Sequence, residues 1–154
     1  MKKSAGILPY RIRDGQPEFF LVHPGGPFWK KKDAAAWSVA KGEYEDGEEP
    51  LAAAKREFTE ETGLSCDGKF ISLKPVKQKS GKQVIAWAIE MDIDPSTIQS
   101  NTFQLEWPPK SGRYKEFPEV DKGEWFTPEI AREKINAYQL PLIDELLRVL
   151  DSVV

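Results

Sequence analysis

Residues 42–64 read Gly-Glu-Tyr-Glu-Asp-Gly-Glu-Glu-Pro-Leu-Ala-Ala-Ala-Lys-Arg-Glu-Phe-Thr-Glu-Glu-Thr-Gly-Leu. The first part is polar and turn-like. From Glu48 the composition shifts to strong helix formers, with Pro50 suited to a first helical turn, where its missing N–H costs nothing. Gly63 is a C-terminal stop, because a left-handed residue commonly ends a helix and glycine adopts that conformation freely. The reading predicts a helix over residues 48–62.

On that helix Glu57, Glu60 and Glu61 stand at i, i+3 and i+4, the spacing that shares one face. Like charges so placed destabilise a helix by a few tenths of a kcal/mol per pair, on the order of 0.2–0.5. Leu51 and Phe58 point to a neighbouring sector, so the carboxylates flank the core-facing side. Two readings are open at this point. One is a solvated acidic face. The other is a site for a hard divalent cation, Mg2+ or Mn2+, because the ligands offered are all oxygen.

Working outward, residues 5–12 and 18–23 read as strands around an Asp14-Gly15 hairpin turn. Residues 24–27, Pro-Gly-Gly-Pro, break the pattern, and 28–33 read as a loop. Residues 37–40 form a short apolar run suited to a buried strand. Beyond the helix, residues 69–77 and 83–91 are strand candidates separated by Ser80-Gly81. Ile85, Trp87 and Ile89 alternate with Ala86 and Ala88, a pattern buried on both faces. Residues 103–107 and 124–126 are further short strands, with a loop over 108–113. Thr127-Pro128-Glu129 starts a helix running to about 135. Residues from 141 onward carry Leu142, Ile143, Leu146, Leu147 and Leu150 at helical spacing, a stripe read as core packing. These elements predict one α+β domain over residues 1–154, a sandwich of a mixed β-sheet between helices.

Composition excludes several chemistries. The chain of 154 residues has one histidine, His23, and one cysteine, Cys66. It therefore cannot build an internal disulfide, a Cys-rich zinc site or a histidine cluster. Carboxylates must supply any acid–base or metal chemistry. A net charge of -3 argues against stable nucleic-acid binding through an overall field. Eight of the 25 acids lie in residues 42–64, against only Lys55 and Arg56, so the rest of the chain is slightly basic. The apolar run near the N-terminus is too short for a signal peptide, and no stretch approaches the ~20 apolar residues of a membrane span. The expectation is a cytoplasmic protein, a monomer or homodimer.

The full spacing is more specific than the charge. Gly42, Glu48, Arg56-Glu57-Phe58, Glu60-Glu61 and Gly63-Leu64 occupy the nine fixed positions of the 23-residue Nudix box, and the chain resembles the Nudix hydrolase family over most of its length. The resemblance implies an α/β/α sandwich and hydrolysis of a diphosphate linkage in a nucleoside diphosphate derivative. It implies that Glu57, Glu60 and Glu61 hold divalent cations, joined by the Gly42 carbonyl, and that Arg56 pairs with Glu48. It also implies that Gly42 and Gly63 serve backbone geometry. Glu60, Glu119 and Arg56 form the candidate catalytic set. Glu119, six residues before Trp125, and Trp37-Ser38-Val39-Ala40-Lys41-Gly42 both resemble features of diadenosine tetraphosphate hydrolases, although those enzymes commonly have prolines where Val39 and Ala40 stand.

The expected substrate is a small nucleotide-type molecule, a dinucleoside polyphosphate first. ADP-ribose, a nucleotide sugar or a nucleoside triphosphate comes next, and a non-catalytic nucleotide-binding module after that. Glu106 is a second choice for the base. Lys41 could contact a phosphate or be a surface lysine. Trp107, Arg113 and Tyr114 could stack a base and hold phosphates, or belong to a mobile basic loop. Residues 30–32, three lysines, are a second phosphate-facing patch or a solvated loop. His23 reads as a strand-end residue and Cys66 as a small buried thiol.

Overall fold

The computed structural model describes residues 2–152; residue 1 and residues 153–154 of the expected 1–154 domain lie outside the described part. Strands β1 (Lys3–Arg13) and β2 (Gln16–Pro24) form the predicted hairpin. Asp14 and Gly15 both have positive φ, 52° and 78°, as a tight turn matched to right-handed strand twist requires. Strand β3 (Ala40–Glu43) leads into helix α1 (Pro50–Thr62). Strands β4 (Phe70–Ser72), β5 (Val76–Lys77) and β6 (Gln83–Glu90) follow, then β7 (Thr102–Glu106), β8 (Tyr114–Pro118) and β9 (Val120–Phe126). Helices α2 (Pro128–Lys134) and α3 (Leu140–Ser152) close the chain.

The main sheet runs β4-β6-β1-β2-β9, with β3 also on β1 and β5 also on β6. Only β1 and β6 pair in parallel, so the sheet is mixed. Side-chain alternation divides two cores. Ala5, Ile7, Phe20, Val22 and Ile89 meet Ala53, Ala54 and Phe58 of α1. Leu8, Tyr10, Phe19, Leu21, Val84 and Ala86 meet Leu142, Ile143 and Leu146 of α3. The central strands are thus buried on both faces, and the layers are helix, sheet, helix. The apolar stripe of α3 is core, as its spacing indicated. Cys66 is buried, and burial pushes its thiol up to about 11.

Several sequence expectations are corrected. The strand expected at 37–40 is displaced: Trp37 and Ser38 form only isolated bridges, and the ladder begins at Ala40. The strand expected over 69–77 is two pieces, with Pro75 in the break. Strand β8 was not foreseen, because Tyr-Lys-Glu-Phe-Pro carries little hydrophobic alternation and four of its five residues are exposed. It pairs with β7 in a separate two-stranded sheet. The region read as a basic loop is therefore the tip of a hairpin.

One feature of β1 opens the site. Its first half pairs with β3, ending at Ile7↔Ala40, and its second half pairs with β2, beginning at Tyr10↔Phe19. Pro9, which has no N–H to give a ladder, falls at the changeover. Strand β2 leaves β1 there, and the segment leading into β3 meets it through the isolated bridge Val22↔Ser38. The notch between them is where the carboxylates gather.

Candidate active site

Helix α1 is held at both ends by side chain and backbone. Glu49 accepts from the N–H groups of Leu51 and Ala52 at 3.3 and 2.9 Å. Gly63 has φ 76° and donates to Thr59 O at 2.8 Å. A Cβ on Gly63 would also sit 2.8 Å from Gln99 O, so space as well as φ requires glycine there. The next free carbonyls of the helix end are taken by a neighbouring loop: Asn101 N–H donates to Glu60 O at 2.7 Å and Gln99 N–H to Thr62 O at 2.8 Å.

That loop carries the chain to Glu119. The Glu119 N–H donates to Asn101 O at 2.9 Å, and the Gly25 N–H donates to Glu119 O at 2.9 Å. A continuous backbone relay therefore links α1, the root of the β7–β8 hairpin and the Pro-Gly-Gly-Pro loop. A Cβ on Gly25 would overlap the Pro118 carbonyl oxygen, so only glycine allows this approach. Glu119 sits at the joint between β8 and β9, more than fifty residues beyond the helix in sequence yet anchored beside it.

The carboxylates have distinct surroundings. Glu57 is 8% exposed. Its carboxylate lies against the backbone of Gly42, where any Cβ would overlap it. Arg56 grips Glu48 with two bonds, Nε to Oε2 at 3.0 Å and Nη2 to Oε1 at 3.1 Å. Its Nη1 donates to Glu57 Oε1 at 2.9 Å and reaches Glu60 at 3.4 Å. Arg56 thus positions three glutamates, and the Glu48–Arg56 pairing implied by the resemblance is present.

Burial and like charge act together here. Desolvation first, then Glu60, raises Glu57 above the ordinary glutamate range, against the opposing pull of Arg56. Desolvation, with added repulsion from Glu57 and Glu119, pushes Glu61 up to about 8 despite Lys41. Glu119 is raised by desolvation and by Glu60. Glu61, Glu119 and Lys41 line a cavity of about 160 Å³ in the notch, together with Val22, Pro24, Ser38, Val39 and Val120.

The donors are all oxygen, and their negative charge is undercompensated. Among the described residues no three of them close into a preassembled coordination sphere. Mg2+ does not need one, since it retains waters and takes one or two carboxylates together with substrate phosphates. The residues present therefore fit a divalent cation of this kind.

Other expected site residues are placed differently. By strand register Glu106 and Tyr114 share one face of the hairpin, whereas Trp107 and Arg113 share the opposite one, so Tyr114 is not brought together with them. Glu106 accepts from Lys110 N–H and Gly112 N–H at 3.1 and 3.2 Å, and closes the hairpin tip. That gives it a structural task at the hairpin tip, whereas Glu119 stands at the hairpin root. Lys32 stacks over Trp29 at 5.0 Å and gives its carbonyl to His23.

Two supporting residues escaped the sequence reading. His23 is buried, with Nδ1 2.9 Å from Asp121 Oδ1 and Nε2 2.6 Å from Lys32 O, and so ties the 24–36 loop to β9. Gln139 donates from Nε2 to Ser38 Oγ at 2.9 Å and accepts from Val39 N–H at 3.0 Å, which holds the segment leading to Lys41. Neither carries a motif. A lone buried polar residue is visible only once its partners are folded around it.

Comparison with known proteins bears on the family and the fold. A curated RNA pyrophosphohydrolase of Roseobacter denitrificans is 39% identical over 64 residues, a match spanning 38% of this chain and 37% of that protein's length. A crystal structure of a C. elegans Ap4A hydrolase binary complex superposes with TM-score 0.69 over 99% of both chains at 22% identity. The NUDIX domain of Shewanella oneidensis NrtR, complexed with ADP ribose, superposes with TM-score 0.65 at 14% identity, over 96% of this chain and 87% of that one. The family model for the NUDIX domain matches residues 2–146. With the glutamate helix, the sandwich and a match across nearly the whole length in agreement, the chain belongs to the NUDIX domain family.

Proposed function

We propose that the protein is a divalent-cation-dependent hydrolase of a diphosphate linkage in a nucleoside diphosphate derivative. The observation that carries this reading is the meeting of Glu61 from α1 with Glu119 from the β8–β9 joint in a notch that also holds Lys41, with Glu57 and Glu60 near enough to raise Glu61 and Glu119 respectively. A bound Mg2+ or Mn2+ supplies neutralisation of phosphate charge and a lowered pKa for an attacking water. The chain's own residues do the rest. Glu57, fixed by Arg56 and Gly42, and Glu60 and Glu61 bind and orient the cation. Glu119, raised by its surroundings and free of the Arg56 clamp, is suited to take the proton from water. Lys41, in the lining of the same cavity, offers a positive charge to phosphate oxygens.

Within this class a dinucleoside polyphosphate is the first substrate, supported by the Trp37-to-Gly42 segment and the Glu119–Trp125 spacing. A second reading, removal of pyrophosphate from an RNA 5′ end, is supported by the partial identity to the Roseobacter denitrificans protein. A substrate panel with Mg2+ or Mn2+ tests both: dinucleoside tetraphosphates, nucleoside triphosphates, ADP-ribose, nucleotide sugars and a 5′-triphosphorylated oligonucleotide. The products show which bond breaks. No release from any of them with either metal would leave a nucleotide-binding module in place of an enzyme.

A further inference from the structure

The β7–β8 hairpin has two faces of opposite chemistry. Its register pairs Phe103 with Phe117 and Leu105 with Lys115, and Trp107 N–H donates to Arg113 O. Strand alternation places these six residues on one face, which carries two cations and no carboxylate. Glu106 and Glu116 lie on the other.

The cationic face lies over the Pro-Gly-Gly-Pro loop. A Cβ on Gly26 would sit 3.1 Å from the Phe103 ring, and Trp107 meets Phe28 edge to face with centroids 5.5 Å apart. The contact leaves Phe28 57% exposed, and the adjacent Trp29 is 38% exposed. Three exposed lysines follow at residues 30–32. Aromatic faces beside cations, with no acid among them, are the surface on which nucleobases stack and phosphates are held.

Position completes the argument. Trp107 lies six residues along the hairpin from Asn101, which is bonded to Glu60 O, so its backbone stands at most roughly 20 Å from the loop that holds the C-terminal end of α1. The backbone relay through Glu119 and Gly25 fixes the roots of both walls relative to α1. We propose that Phe28, Trp29 and Trp107 form a stacking site for a second nucleobase, at the far end of a polyphosphate whose near end occupies the glutamate site. Lys115, nearer the hairpin root, then faces the phosphates between, and Arg113 stands beside Trp107. The assignment rests on the proposed hydrolase reading and names its substrate class: a polyphosphate with a nucleoside at each end.

The test compares diadenosine tetraphosphate with adenosine tetraphosphate, which has the same phosphate chain and one base. Phe28→Ala and Trp107→Ala are expected to lower kcat/KM about tenfold more for the two-base substrate than for the one-base substrate, through KM. Trp107→Tyr restores the ratio. An unchanged ratio in both alanine variants, with wild-type turnover intact, overturns the stacking site alone. Calorimetric binding of both ligands to the Glu60→Gln variant separates the other failure. Tighter binding of the two-base ligand, weakened by Trp107→Ala and accompanied by no wild-type turnover, overturns the hydrolase reading and supports the stacking site. Equal affinity for the two ligands overturns the stacking site.

Discussion

Glu61 carries the clearest electrostatic signature of the site. In the unfolded chain it ionises near 4.5; in the fold, burial and its acidic neighbours delay this to about 8. Between those values the folded protein keeps a proton that the unfolded chain has released, so raising the pH through that window destabilises the metal-free protein. In chelator the melting temperature should fall from pH 5 to pH 8, by the equivalent of roughly 1–3 kcal/mol. Glu61→Gln should flatten the fall. Mg2+ should restore stability at pH 8 and have little effect at pH 5, where protonated carboxylates bind it poorly. Melting curves with and without metal check this, and an identical pH slope in Glu61→Gln would contradict it. At this scale the box glutamates were legible in sequence because their spacing on a helix is itself the chemistry. Glu119 was reachable only through family likeness. His23 and Gln139 were not legible, since their partners are 98 and 101 residues away.

At the scale of elements, α1 is the rigid mount of the site. Its N-terminus is capped by Glu49, its C-terminus by Gly63 and by the 98–101 loop. Gly63→Ala should cost about 1–3 kcal/mol, combining left-handed φ strain with the approach to Gln99 O. It should also weaken metal-dependent turnover, because the same loop anchors Glu119. Urea denaturation and initial rates check the two effects, and a stable variant of full activity would contradict the linkage. Elements with hydrophobic period or turn chemistry, β1, β2, β6, α1 and α3, were readable from sequence. Strand β8 was not, because a hairpin that projects from the body buries little and leaves no apolar pattern.

At the scale of the molecule, two cores on opposite faces of one sheet separate stability from chemistry. The α1 core abuts the glutamates, whereas the α3 core lies behind the sheet. Leu146→Ala, in the second core, should destabilise by about 2–5 kcal/mol while leaving KM and metal dependence unaltered. A single cooperative unfolding transition is expected of one domain. A changed metal dependence would show that the two sides of the sheet are not independent. The chain's charge has the same division: an acidic segment over residues 43–61, from the loop before α1 into the helix, and a cationic face on the hairpin. On the proposed hydrolase reading, a substrate rich in phosphate would be drawn to the second and bound at the first once a cation is present.

On the proposed reading, the glutamates of α1 hold a divalent cation at which a diphosphate is hydrolysed. The most direct measurement is the release of nucleotide products from a dinucleoside tetraphosphate by wild type, Glu57→Gln and Glu60→Gln, each with Mg2+ and with chelator. Wild type with metal is expected to release product, wild type in chelator none, and each variant with metal to be down on the order of a hundredfold or more. Undiminished release by both variants, or release that survives the chelator, would contradict it.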